Sequence, residues 1–324
     1  MEDIAIIGAG LSAVSCARRL REAGTSCRLF EKSRGPGGRL STRRAGELRF
    51  DHGAQYFTAR DSRFREQIEA WRAEGLAAPW QGRIVSIDHG QVSPTSTPIE
   101  RYVGVPRMSV LSRALMGDIP IETGCRITAL RRTTAGWVLS SEEGAQHGPF
   151  RQVVVSAPAP QAAELLEPAA ELAAAARSAR FAPCWAAMLA FEEPLPLNFD
   201  GAFVASSALS WIARNSSKPE RPEAESWVLH GSSEWSTAHL EESPKEALEG
   251  LTSAFREAVQ MELPEAVHAV AHRWRFALPE TPLEDRCLYD ATVGVGACGD
   301  WCGGPRVEGA YLSGWELADR LTLS

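Results

Sequence analysis

The sequence predicts an α/β protein in which a Rossmann-type nucleotide-binding domain is interleaved with an α+β domain built on a mixed or antiparallel sheet. Three observations carry that prediction. The chain opens as strand, glycine turn, helix, strand; its end again reads strand, loop, helix; and from about residue 160 the texture between them changes to Ala-rich helix, strand-like runs and one long amphipathic helix. No internal repeat or low-complexity linker divides the parts. The chain is therefore expected to begin and end in the nucleotide-binding domain (1–75, 105–160 and 280–324), with a substrate-binding domain inserted (76–104 and 161–279).

Each element has its own signal. The apolar run Ile4 to Ile7 reads as a buried parallel strand, Gly8 and Gly10 as a tight turn, Leu11 to Ala23 as a helix with Val14, Ala17 and Leu20 inward, and Cys27 to Phe30 as a second strand ending at Glu31. After a loop-rich stretch, RDSRFREQIEAWRAEGL is an amphipathic helix that turns Phe64, Ile68, Trp71 and Leu76 inward. Short strands are expected around 84–93, with the turn-rich SPTSTP (93–98) irregular and a short helix opening near Met108. Residues 120–144 suggest two or three antiparallel strands, and 152–157 another strand stopped by Pro158. Beyond it come a helix over 162–181, strands at CWAAMLAFE, SWIARN and SWVLHGSSEW, and a helix with Leu248, Leu251, Phe255 and Val259 on one face. A strand at HAVAHRWRFALP and a last helix from about Gly309 complete the pattern.

Composition excludes several function classes. The formal net charge is -7, so an extended basic face for nucleic acid is not expected, and no apolar run is long enough for a membrane span. The start MEDIAIIGAG lacks the pattern of a signal peptide, which points to the cytoplasm. Seven scattered cysteines without a CxxC pair argue against a disulfide framework or a zinc site, and no metal is expected. The only lysines are Lys32, Lys218 and Lys245; arginine supplies the remaining basic charge and is dense in RGPGGRLSTRR (34–44).

The chemistry starts at residues 8–13, GAGLSA, which is G-x-G-x-x-G with alanine last, set between strand and helix with Glu31 following 21 residues after Gly10. Gly8 and Gly10 let the backbone approach a pyrophosphate; Leu11, Ser12 and Ala13 open the helix whose free N–H groups receive it; Glu31 accepts the ribose hydroxyls. Spacing alone leaves FAD and NAD open, because both present the same ADP half.

Two further stretches resemble signatures of the monoamine-oxidase-like flavoprotein family: EKSRGPGGRLSTR (31–43), with a G-G-R at Gly37, Gly38 and Arg39, and CGDWCGGPRVEGAYLSG (298–314). The resemblance implies non-covalent FAD in a fold of the p-hydroxybenzoate-hydroxylase-like type. Arg39 would brace the pyrophosphate, Asp300 would meet the ribityl or phosphate region, and the N–H groups of Val307, Glu308, Gly309 and Ala310 would face the flavin. Lys32, Gly53, Ala54, Gln55, Tyr56 and Ile127 join the expected cofactor shell. Within the family, FEKSRGPGGRLSTRR, DHGAQYFTAR (51–60) and WIARNSSK (211–218) look like stretches of the bacterial renalases. What that implies is an oxidase of 2-dihydro, and by extension 6-dihydro, isomers of NAD(P)H, with dioxygen as electron acceptor and hydrogen peroxide as product.

Such a reaction needs no side-chain base, since aromatisation of a dihydropyridine already drives hydride loss. No catalytic base is assigned. The substrate wall is expected from Phe57, Thr58, Ala59 and Arg60, with Trp185, Asn215, His230 and Trp274 from the inserted domain and Arg43 or Arg44 for phosphates. His52 and His230 read more readily as hydrogen-bonded structural histidines than as catalysts, and Arg60, Asn215 and Lys218, by position alone, as surface residues. The partners are then a dihydronicotinamide dinucleotide and dioxygen, with no nucleic acid and no membrane, in a monomer or homodimer. Two alternatives stay open. An amine oxidase would want an aromatic cage, for which the chain offers only Tyr56, Tyr102, Tyr289 and Tyr311, with Trp301 as a substitute. A flavin-binding redox sensor would keep the cofactor contacts without turnover.

Overall fold

The computed structural model describes residues 3–95 and 99–323, and two large sheets organise it. In the first, strand β1 (Ile4–Ile7), helix α1 (Leu11–Glu22) and strand β2 (Cys27–Glu31) form the predicted βαβ unit. β1 sits centrally, parallel to β2 on one side and to Gln152–Val155 on the other, and Val295–Ala297 and Ile121–Thr123 extend the parallel set. All four residues of β1 are buried, as a strand covered on both faces must be.

The second sheet has seven strands, in the order His268–Pro279, Phe181–Phe191, Glu225–Gly231, Leu209–Arg214, Gly201–Ala205, Ile84–Asp88, Gln91–Pro94. It is antiparallel apart from the pair Gly201–Ala205 with Ile84–Asp88, so the mixed sheet expected for the inserted part is present. Its two faces differ. Trp185, Ala187, Leu189, Trp227 and Leu229 pack with Leu251 and Phe255 of the helix Pro244–Val259, whereas Met188, Ala190 and Val228 pack with Phe50 on the opposite side. Strand parity then puts His230, His272 and Trp274 on that opposite face, toward the nucleotide-binding part.

Several local expectations are corrected. Pro168 divides the helix expected over 162–181 into Ala159–Leu165 and Ala170–Ser178. SWVLHGSSEW is a strand only to Gly231; Ser232 then accepts a hydrogen bond from Trp235 N and caps a helix, Ser233–Ala238. The helix near Met108 begins at Val110 and the last helix at Val307. Ser93 and Pro94 belong to an exposed edge strand, while 96–98 of SPTSTP lie outside the described residues. Ile121–Thr123 joins β2 in parallel, and the antiparallel set is instead Ile127–Thr133, Gly136–Ser141 and Gln146–Phe150. On the long helix Ala247, Ala254 and Ala258 are buried with Leu251 and Phe255, leaving Leu248 and Val259 half-buried.

One helix contact fixes the cofactor end of the fold. The last helix, Val307–Thr322, runs in the same direction as α1, with Ser15 Oγ donating to Tyr311 O and Arg19 Nε to Asp319. Gly314 makes this approach possible, since a Cβ there would stand 2.0 Å from Ser12 O and 2.9 Å from Cys16 N. Both are backbone atoms that no rotamer change relieves. Gly314→Ala is expected to lower stability by about 3 kcal/mol and to weaken retention of any cofactor at these helix starts. Urea unfolding, with absorbance of the purified protein, checks both effects.

Candidate active site

The carboxyl ends of β1, β2 and Val295–Ala297 collect three of the predicted features: the glycine turn, Glu31 and Asp300. Ligands of open parallel sheets bind at such an edge. Gly8 has φ +102° and its missing Cβ would meet Ser156 O at 2.5 Å, so both conformation and space require glycine. Gly10 precedes α1 with nothing within 4 Å of a built Cβ, and no side chain caps the helix. Leu11, Ser12 and Ala13, the first turn, are buried. The last helix also starts without a side-chain cap, at Val307, Glu308, Gly309 and Ala310, all half-buried. Two parallel helices thus present free N–H groups and positive dipole ends on one side of the molecule.

The G-G-R segment is stitched to this turn. Gly37 N donates to Ala9 O at 2.8 Å, and Gly38, φ +51°, brings its missing Cβ within 3.3 Å of Gly10 Cα. Gly53 packs next, its built Cβ only 2.0 Å from Arg39 O, while Ala54 N donates to the same oxygen. Glu31 is buried, and its two carboxylate oxygens accept from Ala9 N and Ser33 N at 2.8 Å each. That pins the acid beside the turn and leaves each oxygen a lone pair for a ribose hydroxyl. Ile127 is buried near Phe30, and Lys32 stands at the surface with its amine lowered by partial burial and by Arg126. A glycine turn open at Gly10, two uncapped helix starts and a pinned acid fit the ADP half and the anionic groups of a flavin dinucleotide.

Arg39 and Asp300 were expected to meet the cofactor separately, but the structure joins them. The guanidinium donates to both carboxylate oxygens at 2.8 and 2.7 Å and to Ala277 O at 2.9 Å. A bidentate pair of this kind holds both groups rigid. It also clips the glycine-rich loop to the strand His268–Pro279 of the second sheet. Glu308 likewise turns its carboxylate away, accepting from Arg60 N and Asp61 N at 2.7 Å each. Its backbone stays with the helix start.

Between the nucleotide edge and the second sheet lies the loop 51–56. His52 O accepts from Trp274 Nε1 at 3.0 Å and lies 3.1 Å from His230 Nε2. The His52 ring packs 4.9 Å from both His272 and Trp274. Burial pushes His52 down to about 3, with His272 and His230 adding to it, and burial takes His230 down to about 4. His272 is lowered too, by burial and then Arg43. These rings are therefore neutral at pH 7, and among the described residues Nδ1 of His52 finds no hydrogen-bond partner. The charged side chains that act on His52, His230 and His272 are Arg43 and Lys218, both cations.

Behind the loop is an ion cluster the sequence did not announce. Asp51, Lys218 and Arg221 have side chains with no solvent exposure. Arg221 donates to Asp51 Oδ2 at 3.0 and 2.7 Å; Thr42 Oγ1 and Met108 N donate to Oδ1. Lys218 Nζ lies 3.6 Å from Asp51 Oδ2 and donates to Gln55 Oε1 at 3.0 Å and Asn215 Oδ1 at 3.3 Å. Burial lowers Lys218 to about 8, against the pull of Asp51. Lys218 is thus a core residue, not a surface one.

Four other placements are corrected. Trp185 points into the helix-packed face and donates to His239 O, one residue out of phase with the substrate side. Phe57 is core, against Phe64, Trp71 and Tyr102. Asn215 is fully buried, its amide given to Arg49 O, so it positions Lys218 instead of meeting a ligand. Trp301 is buried and donates to Ala157 O, which removes it as a cage member. His230 and Trp274 meet at His52 O, Gln55 faces Lys218, and Tyr56 packs against Trp80, Trp211 and Arg101, whereas Thr58 and Ala59 are half-buried and Arg60 is exposed. Glu122, Cys125 and His147 have ligand atoms within 4.8 Å of one another, but Glu122 faces Nδ1 and Cys125 faces Nε2, on opposite sides of the ring. They do not converge on one point. Among the described residues no helix is long and apolar enough to cross a membrane.

A model of the flavin-containing amine oxidoreductases matches residues 97–322, and one of an NAD(P)-binding Rossmann-like domain matches 6–70. Similar solved structures include a candidate protoporphyrinogen oxidase of Exiguobacterium sp. 255-15 (TM-score 0.76, 13% identity, 99% of each chain). Putrescine oxidase bound to putrescine (0.71, 13%, covering 100% of this chain and 99% of that one) and reduced UDP-galactopyranose mutase (0.76, 12%, 100% and 94%) are also similar. At such identities the likeness is one of fold. The bifunctional tRNA 5-methylaminomethyl-2-thiouridine biosynthesis protein MnmC of Magnetococcus marinus is 27% identical over 214 residues, 53% of this chain. The match spans only 32% of that protein.

Two predictions test the site. Unfolded, His52 and His230 titrate near 6.5; folded, near 3 and 4, so below 6.5 the unfolded chain binds up to two more protons. Stability is therefore full above pH 6.5 and falls on acidification toward pH 4, by up to about 3 kcal/mol per pH unit. Urea unfolding at stepped pH should show this slope, and His52→Gln with His230→Gln should flatten it. Asp51→Asn leaves Arg221 and Lys218 buried without a counter-charge and is expected to cost about 3–5 kcal/mol, measured as the unfolding free energy at pH 7.

Proposed function

The chain belongs to the flavin-containing amine oxidoreductase family, and from that premise we propose that it is a renalase-type FAD-dependent oxidase of 2-dihydro, and also 6-dihydro, isomers of NAD(P)H. The reaction balances as dihydronicotinamide dinucleotide plus dioxygen plus a proton giving NAD(P)+ plus hydrogen peroxide. Bound FAD would supply a two-electron hydride acceptor there and the redox link to dioxygen.

The observation that carries this reading is the ring cluster around His52. His52, His230, His272 and Trp274 present flat, neutral groups, and the charges acting on the three imidazoles are the cations Arg43 and Lys218. A planar dihydropyridine needs stacking and orientation, and no proton has to be removed from it; holding its reactive carbon roughly 3–3.5 Å from the acceptor suffices. Trp274 and His230 are themselves anchored through His52 O, so the wall is preorganised. An ammonium substrate would find two cations nearby in place of a counter-ion. A dinucleotide stays anionic even after its ring becomes a pyridinium, because the pyrophosphate outweighs the new charge.

Anaerobic mixing of the yellow protein with each dihydro isomer, ordinary 4-dihydro NAD(P)H and a panel of amines, followed by flavin absorbance, tests the assignment. Rapid bleaching by the 2-dihydro isomer and none by amines is expected, and Trp274→Ala should slow it about tenfold, the effect of some 1.4 kcal/mol at the barrier. Bleaching by amines alone would make the protein an amine oxidase. A coloured protein that no donor bleaches would be a redox sensor.

A further inference from the structure

The arginines of 34–44 are divided between two tasks, and Arg39 accounts for only one. Strand Arg43–Ala45 pairs antiparallel with Leu48–Phe50, which sets Arg44 directly across from Arg49. Like charges facing each other across a ladder destabilise it. A third cation arrives from the next segment: Ser109 N lies 3.5 Å from Thr42 Oγ1 and Met108 N donates to Asp51, placing Arg107 against the same strand. Arg113 follows, its Nη2 3.7 Å from where a Cβ on Gly35 would stand. Arg107 is half-buried, and its guanidinium is lowered by burial and then by Arg44, Arg113, Arg49 and Arg221. Asp51, the nearby acid, is already enclosed by Arg221, Thr42 and Met108 N. Among the described residues Arg44, Arg107 and Arg113 form no ion pair, although the chain carries 41 acidic residues to 34 basic ones.

Crowding cations without counter-ions in an acidic protein is unfavourable unless an anion is to be received. Arg43, on the same strand, acts on His52, His268 and His272, so the cluster begins beside the ring face and continues away from it. We propose that Arg44 and Arg107, flanked by Arg49 and Arg113, form the subsite for the pyrophosphate of the dinucleotide substrate, one ribose removed from its ring. This rests on the reaction proposed above. It adds which part of the substrate supplies binding energy and which residues receive it. Planar guanidinium forks suit phosphate oxygens in a way that point charges do not.

The test compares substrates with and without phosphates. Arg44 is exposed, so Arg44→Ala is expected to fold; it and Arg107→Ala should each raise KM for the 2-dihydro dinucleotide about tenfold or more, one charge-assisted hydrogen bond's worth, with kcat unchanged. KM for the phosphate-free 2-dihydronicotinamide riboside should not move. Equal effects on both substrates, or none on the dinucleotide, overturn the subsite. Calorimetry of the FAD-loaded protein with inorganic pyrophosphate gives a readout independent of turnover: binding is expected in the parent and lost in the double variant. Absence of binding in the parent overturns the subsite even if the isomers are oxidised. Binding without oxidation of any isomer would instead retire the proposed substrate and leave an anion site.

Discussion

Asp51 is the constraint on which the rest of the site depends. Its carboxylate takes hydrogen bonds from Thr42 in the arginine-rich loop, Met108 N before a short helix, and Arg221 from the inserted part, across a separation of 170 residues. The next residue, His52, offers the carbonyl that holds Trp274 and His230, and Gly53 is wedged on Arg39 O. One buried anion therefore fixes the relation between cofactor edge and ring face. Two cations share it, which leaves the cluster with excess positive charge. Burial with too little counter-charge is why Lys218 comes down to about 8 despite its acidic neighbour.

That excess has a consequence for selectivity. A positive interior next to histidines kept neutral by burial raises the cost of any further cation and lowers that of an anion. The same histidines would lose their value if they ionised, because a charge on His52 would sit beside His230, His272 and Arg43, and one on His230 beside Lys218. Keeping them neutral needs a dry, packed environment, and the edge-on and tilted ring contacts of His52, His272 and Trp274 at 4.5–4.9 Å provide one. Stability and chemistry thus draw on one feature, and acidification strains both.

The fold was largely legible because its signals are local. The glycine turn, the helix period and the acid 21 residues on all lie within one βαβ unit, and strand alternation marks the sheets. Two of the helix boundaries missed were those where proline or a serine cap overruled composition, at Pro168 and Ser232. The site was legible in part. Motif spacing pointed to Gly8, Gly10 and Glu31 and the family resemblance to Asp300, yet neither could tell that Arg39 and Asp300 meet each other across 261 residues. Lys218 and Arg221 sit in SSKPERPE, which has the composition of a solvated loop; only the distant arrival of Asp51 makes it an interior. Trp185 failed for a different reason, since a strand with both faces covered gives no alternation from which to read which way a tryptophan points.

The arginine-rich loop sets its arginines in two different environments within one short segment. Glycines at 37 and 38 remove side chains where the chain passes the nucleotide turn, and their positive φ values reverse its course so that Arg39 points to Asp300. Four residues after Arg39 the backbone becomes a strand, and alternation sends Arg43 toward the histidines and Arg44 away, to face Arg49. A flexible loop would let these guanidinium groups separate and relax their repulsion. The pairing with Leu48–Phe50 and the bonds of Thr42 to Asp51 and Ser109 N hold the backbone that carries them in place. Repulsion is relieved only as far as the exposed Arg44 side chain can turn, and an anion drawing the forks together takes up that remaining freedom. Because screening weakens exposed charges most, Arg44 should contribute chiefly to capture at low salt and half-buried Arg107 to retention.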